Sequence, residues 1–136
     1  MTVPYALGYW IDNGFPANKI VLGLATYGRT FRLKNANNHG LGAHKADWTS
    51  PRRGTYTREP GFLAYYEICN HGYTIVEDNA AKAPYGYKGT DWVGFENVRS
   101  LIYKTKILIK GLSSLISTSL KISSVSKEKE IMYYLI

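Results

Sequence analysis

The chain has 136 residues, 45% of them hydrophobic, with twelve tyrosines and three tryptophans, which places it among folded chains with one small core rather than among disordered ones. Its net charge of +7 is uneven: residues 1–103 carry eleven Lys/Arg against eight Asp/Glu, while residues 104–136 carry six against two. The lysines are scattered without a nucleic-acid motif, the apolar runs fall short of the ~20 residues that cross a bilayer, and no charged segment followed by an apolar run opens the chain. No nucleic acid, no membrane anchor and no secretion signal are therefore expected.

Residues 3–13 set Tyr5, Ala6, Tyr9 and Trp10 at helical spacing, with Gly14 and Pro16 just beyond, and read as a helix closed by a glycine stop. The run from Lys19 to Thr26 is continuously apolar after Lys19 and opens on Ile20 and Val21, the pattern of a parallel strand buried on both faces. Helix followed by parallel-type strand is the grammar of a barrel or a doubly wound sheet. From Phe31 to Gly89 the composition changes. Asn35, Asn37, Asn38, Gly40, Gly42, Pro51 and Gly54 mark loops, and short aromatic strands over 54–57, 73–76 and 84–87 surround one helix, 61–70, which together make an α+β insert. After Trp92 to Phe95, residues 97–109 read as a helix with Val98, Leu101, Ile102 and Thr105 on one side. The Ser-, Lys- and Ile-rich stretch from Ser113 has no internal repeat, and the terminus from Lys127 to Ile136 reads as mobile.

Three segments carry a family resemblance: Lys19-Ile20-Val21-Leu22-Gly23-Leu24-Ala25-Thr26-Tyr27-Gly28-Arg29-Thr30-Phe31, then Glu59-Pro60-Gly61-Phe62-Leu63-Ala64-Tyr65-Tyr66-Glu67-Ile68-Cys69, then Trp92-Val93-Gly94-Phe95-Glu96-Asn97. In that order they resemble glycoside hydrolase family 18, the chitinases and chitinase-like lectins, over roughly residues 3 to 104. The resemblance implies an α/β architecture: part of a (β/α)8 TIM barrel, with a late helix and the seventh strand in residues 1–30 and a further helix in 90–109. It implies a chitinase insertion domain in 31–89, forming one wall of the sugar cleft, with 110–136 as a divergent tail. A whole barrel takes about 250 residues, so 136 residues hold only part of one. Lys110 to Leu120 also resembles the eighth barrel strand faintly, with Thr118 where the family has the tryptophan that floors the sugar site. That stretch reads equally as unrelated sequence.

The functional candidates follow from both lines of reading. Barrel enzymes place functional groups at the carboxyl ends of strands, so Tyr27 and Arg29 are the first candidates. A phenol offers a flat apolar face and a hydroxyl, and guanidinium supplies a fixed fork of donors to sugar oxygens. The resemblance adds Glu59 and Phe62, at positions where the family presents an acid and a large apolar side chain to the sugar. The competing readings are a core cap for Tyr27, an ion pair for Arg29, a charge at a helix N-terminus for Glu59 and a core position for Phe62. Of Tyr65, Tyr66, Tyr85 and Tyr87, one member of each pair is expected in the core, and Trp92, mainly structural in the family, is left out of the site.

Several chemistries are not expected. The family's Asp-x-x-Asp-x-Asp-x-Glu is absent, and no Asp-x-Glu pair occurs, so no catalytic residue is assigned and hydrolysis by this chain alone is not expected. His39, His44 and His71 with Cys69 are too sparse for a zinc set, so neither metal nor cofactor is expected. The tail serines lack the surroundings of a nucleophile. Cys69 is the sole cysteine and is expected as a buried unpaired thiol; the resemblance would pair it with a second cysteine that the chain lacks. The resemblance also implies an extracellular setting. Three functions stay open: a fragment that contacts chitin or N-acetylglucosamine oligomers without hydrolysing them, the carboxyl-side part of an active chitinase, or an interaction module that self-associates through exposed barrel surfaces.

Overall fold

The computed structural model describes residues 3–46 and 49–115, the last six by their backbone alone. Two compact units divide them: Ala25–Ser100, and a second unit made of residues up to Leu24 together with those from Leu101 onward.

In the second unit, α1 runs from Val3 to Asp12 and buries Val3 and Ala6. It ends as its sequence demands. Gly14 takes φ +85°, and the amides of Gly14 and Phe15 return to the Ile11 and Trp10 carbonyls, a glycine-dependent stop. A single 3-10 turn follows at Ala17–Lys19. The expected parallel strand over 19–26 does not form: Val21 and Leu24 are 40% and 43% exposed, and no strand of the described residues covers that run. An apolar run becomes a buried parallel strand only where flanking strands complete its ladder, and the strand instead starts at Tyr27, where antiparallel partners are at hand.

The Ala25–Ser100 unit is built on five antiparallel strands: β1 (Tyr27–Arg32), β2 (Phe62–Ala64), β3 (Thr74–Asp78), β4 (Ala83–Lys88) and β5 (Asp91–Phe95). Their spatial order is β2-β1-β5-β4-β3. The helix expected over 61–70 is half strand. Phe62–Ala64 pairs with Arg29, Gly28 and Tyr27, and only Tyr65–Asn70 is helical, as α2. Gly61, at φ +82°, turns the chain into β2. The strand expected over 54–57 is a turn, because its amides point at a carboxylate rather than at a neighbouring strand.

One sheet face carries the core, where Leu63, Val93 and Phe95 pack with Ile68 and Tyr73. Gly28 and Gly86 lie on this face of the sheet, and a Cβ on Gly28 would come within 2.7 Å of both Ile68 and Val93. The glycine of Tyr-Gly-Arg is thus a packing requirement, letting β1 close on α2. The last helix, α3 (Val98–Leu115), opens on a reciprocal cap: Asn97 Oδ1 accepts the Ser100 amide while Ser100 Oγ accepts that of Asn97. It is longer than expected. Residues 110–115 continue the helix, so the eighth-strand likeness fails there, and residues 116–136, with Thr118, lie outside the described residues.

Candidate carbohydrate-binding face

Strand alternation puts Tyr27, Arg29 and Phe31 of β1 on the sheet face opposite the core. Register carries the same face across the sheet. Phe62 lies opposite Arg29, Trp92 opposite Phe31, Tyr87 opposite Trp92, and Tyr85 opposite Gly94. Three of the four residues singled out in the sequence come into direct contact here. Tyr27 and Phe62 stack with ring centroids 4.4 Å apart and planes 24° from parallel, and the Arg29 guanidinium carbon sits 5.6 Å from the Phe62 ring centroid. Phe62 is half-buried and outside the core cluster, in contact with both the Tyr27 ring and the Arg29 cation. Glu59 is exposed in the turn before β2, its carbonyl accepting the Phe62 amide at 3.4 Å. Because α2 begins only at Tyr65, Glu59 is too far upstream to compensate that helix's dipole.

That role belongs to Glu67, a buried acid the sequence reading did not single out. Its Oε1 accepts the Tyr56 amide at 2.7 Å and the Thr57 amide at 3.4 Å, while Oε2 accepts the Thr57 hydroxyl at 2.8 Å and the Ala64 amide at 3.1 Å. Burial alone would push this carboxyl up. The donors from Tyr56, Thr57 and Ala64 outweigh it and hold the group at about 2. Both ends of the segment bearing Glu59 and Phe62 are thereby tied to one carboxylate. Gly54 has no room for a Cβ, which would fall on the Thr57 hydroxyl and the Glu67 carboxylate.

A second buried acid ties the far end of the sheet. Asp91 pairs with Arg32 at 2.7 Å and Arg52 at 3.1 Å, and the Arg52 carbonyl accepts from the Thr30 hydroxyl and the Gly61 amide. The Tyr73 phenol is pushed up to about 12, first by burial and then by the Asp91 charge, against opposing pulls from Arg52 and Arg32. Asp91→Asn is therefore expected to lower the Tyr73 pKa, because the two cations then act unopposed. NMR of the Tyr73 ring carbons across alkaline pH would check this, and an unchanged or raised pKa would contradict it.

The tyrosine pairs sort as expected, one member of each being buried or packed on the core. The Trp92 indole folds back over Gly94, where a Cβ would meet it at 3.1 Å, and stacks on Tyr85 at 5.5 Å and 19°. Gly94 is the register partner of Arg29, so Trp92 extends the aromatic surface toward the Tyr27–Phe62 pair. Tyr85 is buried, whereas Tyr87 is half-buried and stacks on His39 at 3.6 Å. Tyr65 packs on the core and Tyr66 is exposed. Cys69 is exposed rather than buried, since the inward face of the short α2 is taken by Glu67 and Ile68. The Tyr65 phenol donates a hydrogen bond to this sulfur, which favours the neutral phenol and raises its pKa.

Comparison with known proteins decides the lineage. The family model for glycosyl hydrolases family 18 matches residues 1–112. The chain belongs to that family. Probable chitinase 10 of Drosophila melanogaster is 40% identical over 115 residues, 81% of this chain but 5% of that protein. The oviduct-specific glycoprotein of Ovis aries is 44% identical over 102 residues, 74% of this chain and 19% of the glycoprotein. Among solved structures, human YKL-39, described as a pseudo-chitinase with retained chitooligosaccharide binding, superposes with a TM-score of 0.73 at 41% identity, covering 82% of this chain and 30% of that one. This family 18 chain thus spans less than a third of each of these three relatives.

Proposed function

We propose that this chain is a carbohydrate-contacting portion of a family 18 protein: residues 31–89 form the insertion domain, residues 1–30 and 90–109 are partial barrel, and Tyr27, Arg29, Glu59 and Phe62 receive an N-acetylglucosamine oligomer. The observation that carries the reading is the Tyr27–Phe62 stack with Arg29 beside it on an open sheet face. A pyranose ring presents axial C–H groups to an aromatic plane and ring oxygens and hydroxyls to a guanidinium, and this arrangement offers both. YKL-39 supports the ligand class, since chitooligosaccharide binding is retained in that relative.

Hydrolysis is a separate matter. Family 18 enzymes use one acid/base glutamate and the substrate's own acetamido group, an exception to two-carboxylate hydrolysis. These 136 residues contain no Asp-x-x-Asp-x-Asp-x-Glu, so binding without turnover is the activity proposed for the chain alone. In an active chitinase it would form the carboxyl-side part, with the acid supplied from elsewhere, in the extracellular setting the resemblance implies. A further reading, self-association, is favoured by the exposed Tyr5 and Tyr9 of α1 and Ile102 and Ile109 of α3.

The test is retention on colloidal chitin beside release of product from a chromogenic chitooligosaccharide. Saturable retention without release is expected, with retention lost in a folded Tyr27→Ala/Arg29→Ala variant. Retention unchanged in that variant would remove the assignment. Sedimentation over a range of concentrations separates the self-association reading.

A further inference from the structure

The sheet face that holds Tyr27 and Phe62 continues past Arg29 into a second feature. Four residues along β1 from Tyr27, about 13 Å at the usual strand rise, Phe31 and Trp92 face each other across the ladder with ring centroids 5.8 Å apart. Beside them opens a cleft of about 260 Å³, walled by Leu33 and Leu41, with Lys45 at its lining.

The cleft is built rather than incidental. Its outer rim, Gly40 to Ala43, belongs to a loop closed by the Lys34 amide donating to the His44 carbonyl, by the Ala43 amide donating to that of Gly40, and by a bridge between Leu33 and Lys45. The loop is pinned to the sheet at two further points: Trp92 Nε1 donates to the His39 carbonyl at 3.1 Å, and the His39 ring lies flat on Tyr87. Preformed, mostly apolar concavities with few polar groups are the usual form of a small-ligand site. Phe31 and Leu41 nonetheless remain 43% and 59% exposed. This second aromatic feature shares one face and one strand with the first, and the Trp92 indole, lying over Gly94, continues the apolar surface between them.

Resting on the reading above, we propose that the Phe31–Trp92 cleft is an accessory subsite for the same ligand, taking a pyranose unit and its acetamido methyl from the part of an N-acetylglucosamine chain that runs beyond the Tyr27–Phe62 stack. The apolar walls receive the C–H face and the methyl. The Lys45 ammonium donates to a hydroxyl or to the acetamido carbonyl.

Chain length separates this subsite from the primary one. Short oligomers reach only Tyr27, Arg29 and Phe62, whereas long ones reach the cleft as well. Calorimetric titration of the folded chain with the disaccharide, trisaccharide and hexasaccharide of N-acetylglucosamine should show the longest binding about tenfold tighter, the order of one added aromatic contact. Phe31→Ala and Leu41→Ser should each remove most of that gain and leave the short-oligomer affinity in place. A length gain that persists in both folded variants would overturn the subsite, as would equal affinity for all lengths in the unaltered chain. Loss of all binding in the unaltered chain would overturn the primary assignment and the subsite with it.

Discussion

Replacing Glu67 by glutamine is expected to destabilise the Ala25–Ser100 unit by about 2 kcal/mol, the order of losing a charge-assisted network and stranding a buried donor. The four bonds it accepts explain why so conservative a change should cost so much. A glutamine can keep its oxygen toward the Tyr56 and Thr57 amides and turn its amide toward the Thr57 hydroxyl, which can accept. The Ala64 amide then faces a second donor and is orphaned at the start of α2. At the usual sensitivity of a domain this size the thermal midpoint falls by roughly 10 °C. Gly54→Ala should reproduce the effect from the other side of the contact, because its Cβ would displace the same carboxylate. Thermal melts followed by near-ultraviolet circular dichroism check both, and midpoints within a degree or two of the unaltered chain would show that Glu67 does not hold the turn.

The same group sets an acid limit whose direction is fixed by its pKa. The carboxyl titrates at about 2 in the folded chain against an ordinary 4.5, so at pH values between these the unfolded chain binds the extra proton. The stability contributed by Glu67 is therefore fully present above about pH 4.5 and is lost as pH falls toward 2. Glu67→Gln should flatten that part of the profile. His71 acts in the same sense at higher pH: burial first, and then the Arg52 charge, lower its pKa, so its contribution is present above its ordinary 6.5 and declines as pH falls through it.

The second large effect concerns the ligand. Phe62→Ala removes the ring on which both Tyr27 and Arg29 converge, so the variant loses the stacking plane and frees two side chains that were held in place. One aromatic face offered to a sugar contributes of order 1 kcal/mol, so its loss, with the alignment of Tyr27 and Arg29, should weaken oligomer binding about tenfold. The fold should survive, because Phe62 is half-buried and stands outside the cluster of Leu63, Ile68, Tyr73, Val93 and Phe95. Phe62→Tyr, which keeps the plane, should retain most of the affinity. Equal weakening in Phe62→Tyr and Phe62→Ala would argue that the ring's plane is not what the sugar meets.

Part of this face was legible in the sequence. Tyr27 and Arg29 are read together at a strand end, although the strand runs through them at Tyr27–Arg32 rather than before them, and the glycine stop after α1 is a local property of Gly14. β4 contains the residues read as strand and β3 all of them but Tyr73, because aromatic and β-branched residues alternate there between turn signals. The errors fall where tertiary pairing decides. Phe62-Leu63-Ala64 runs into a helical segment with no break in composition, and only the ladder to β1 makes it a strand. The apolar run before Tyr27 fits a buried strand or an exposed connection equally well. The placement of Trp92 was not legible for a related reason: its fold over Gly94 depends on the register between β1, β5 and β4, which no spacing in the sequence encodes. Glu67 looked like one more helix acid, although a glutamate three residues after a helix start is a recognised capping signal.

The central claim is that an N-acetylglucosamine oligomer lies against Tyr27, Arg29 and Phe62, and NMR titration of the isotopically labelled 136-residue chain with the trisaccharide addresses it directly. Saturable shifts concentrated on the Tyr27 and Phe62 rings, the Arg29 guanidinium and the backbone of the Glu59–Phe62 turn are the predicted result. Saturable shifts confined to residues off this sheet face, or none at ligand concentrations that saturate binding, would contradict it.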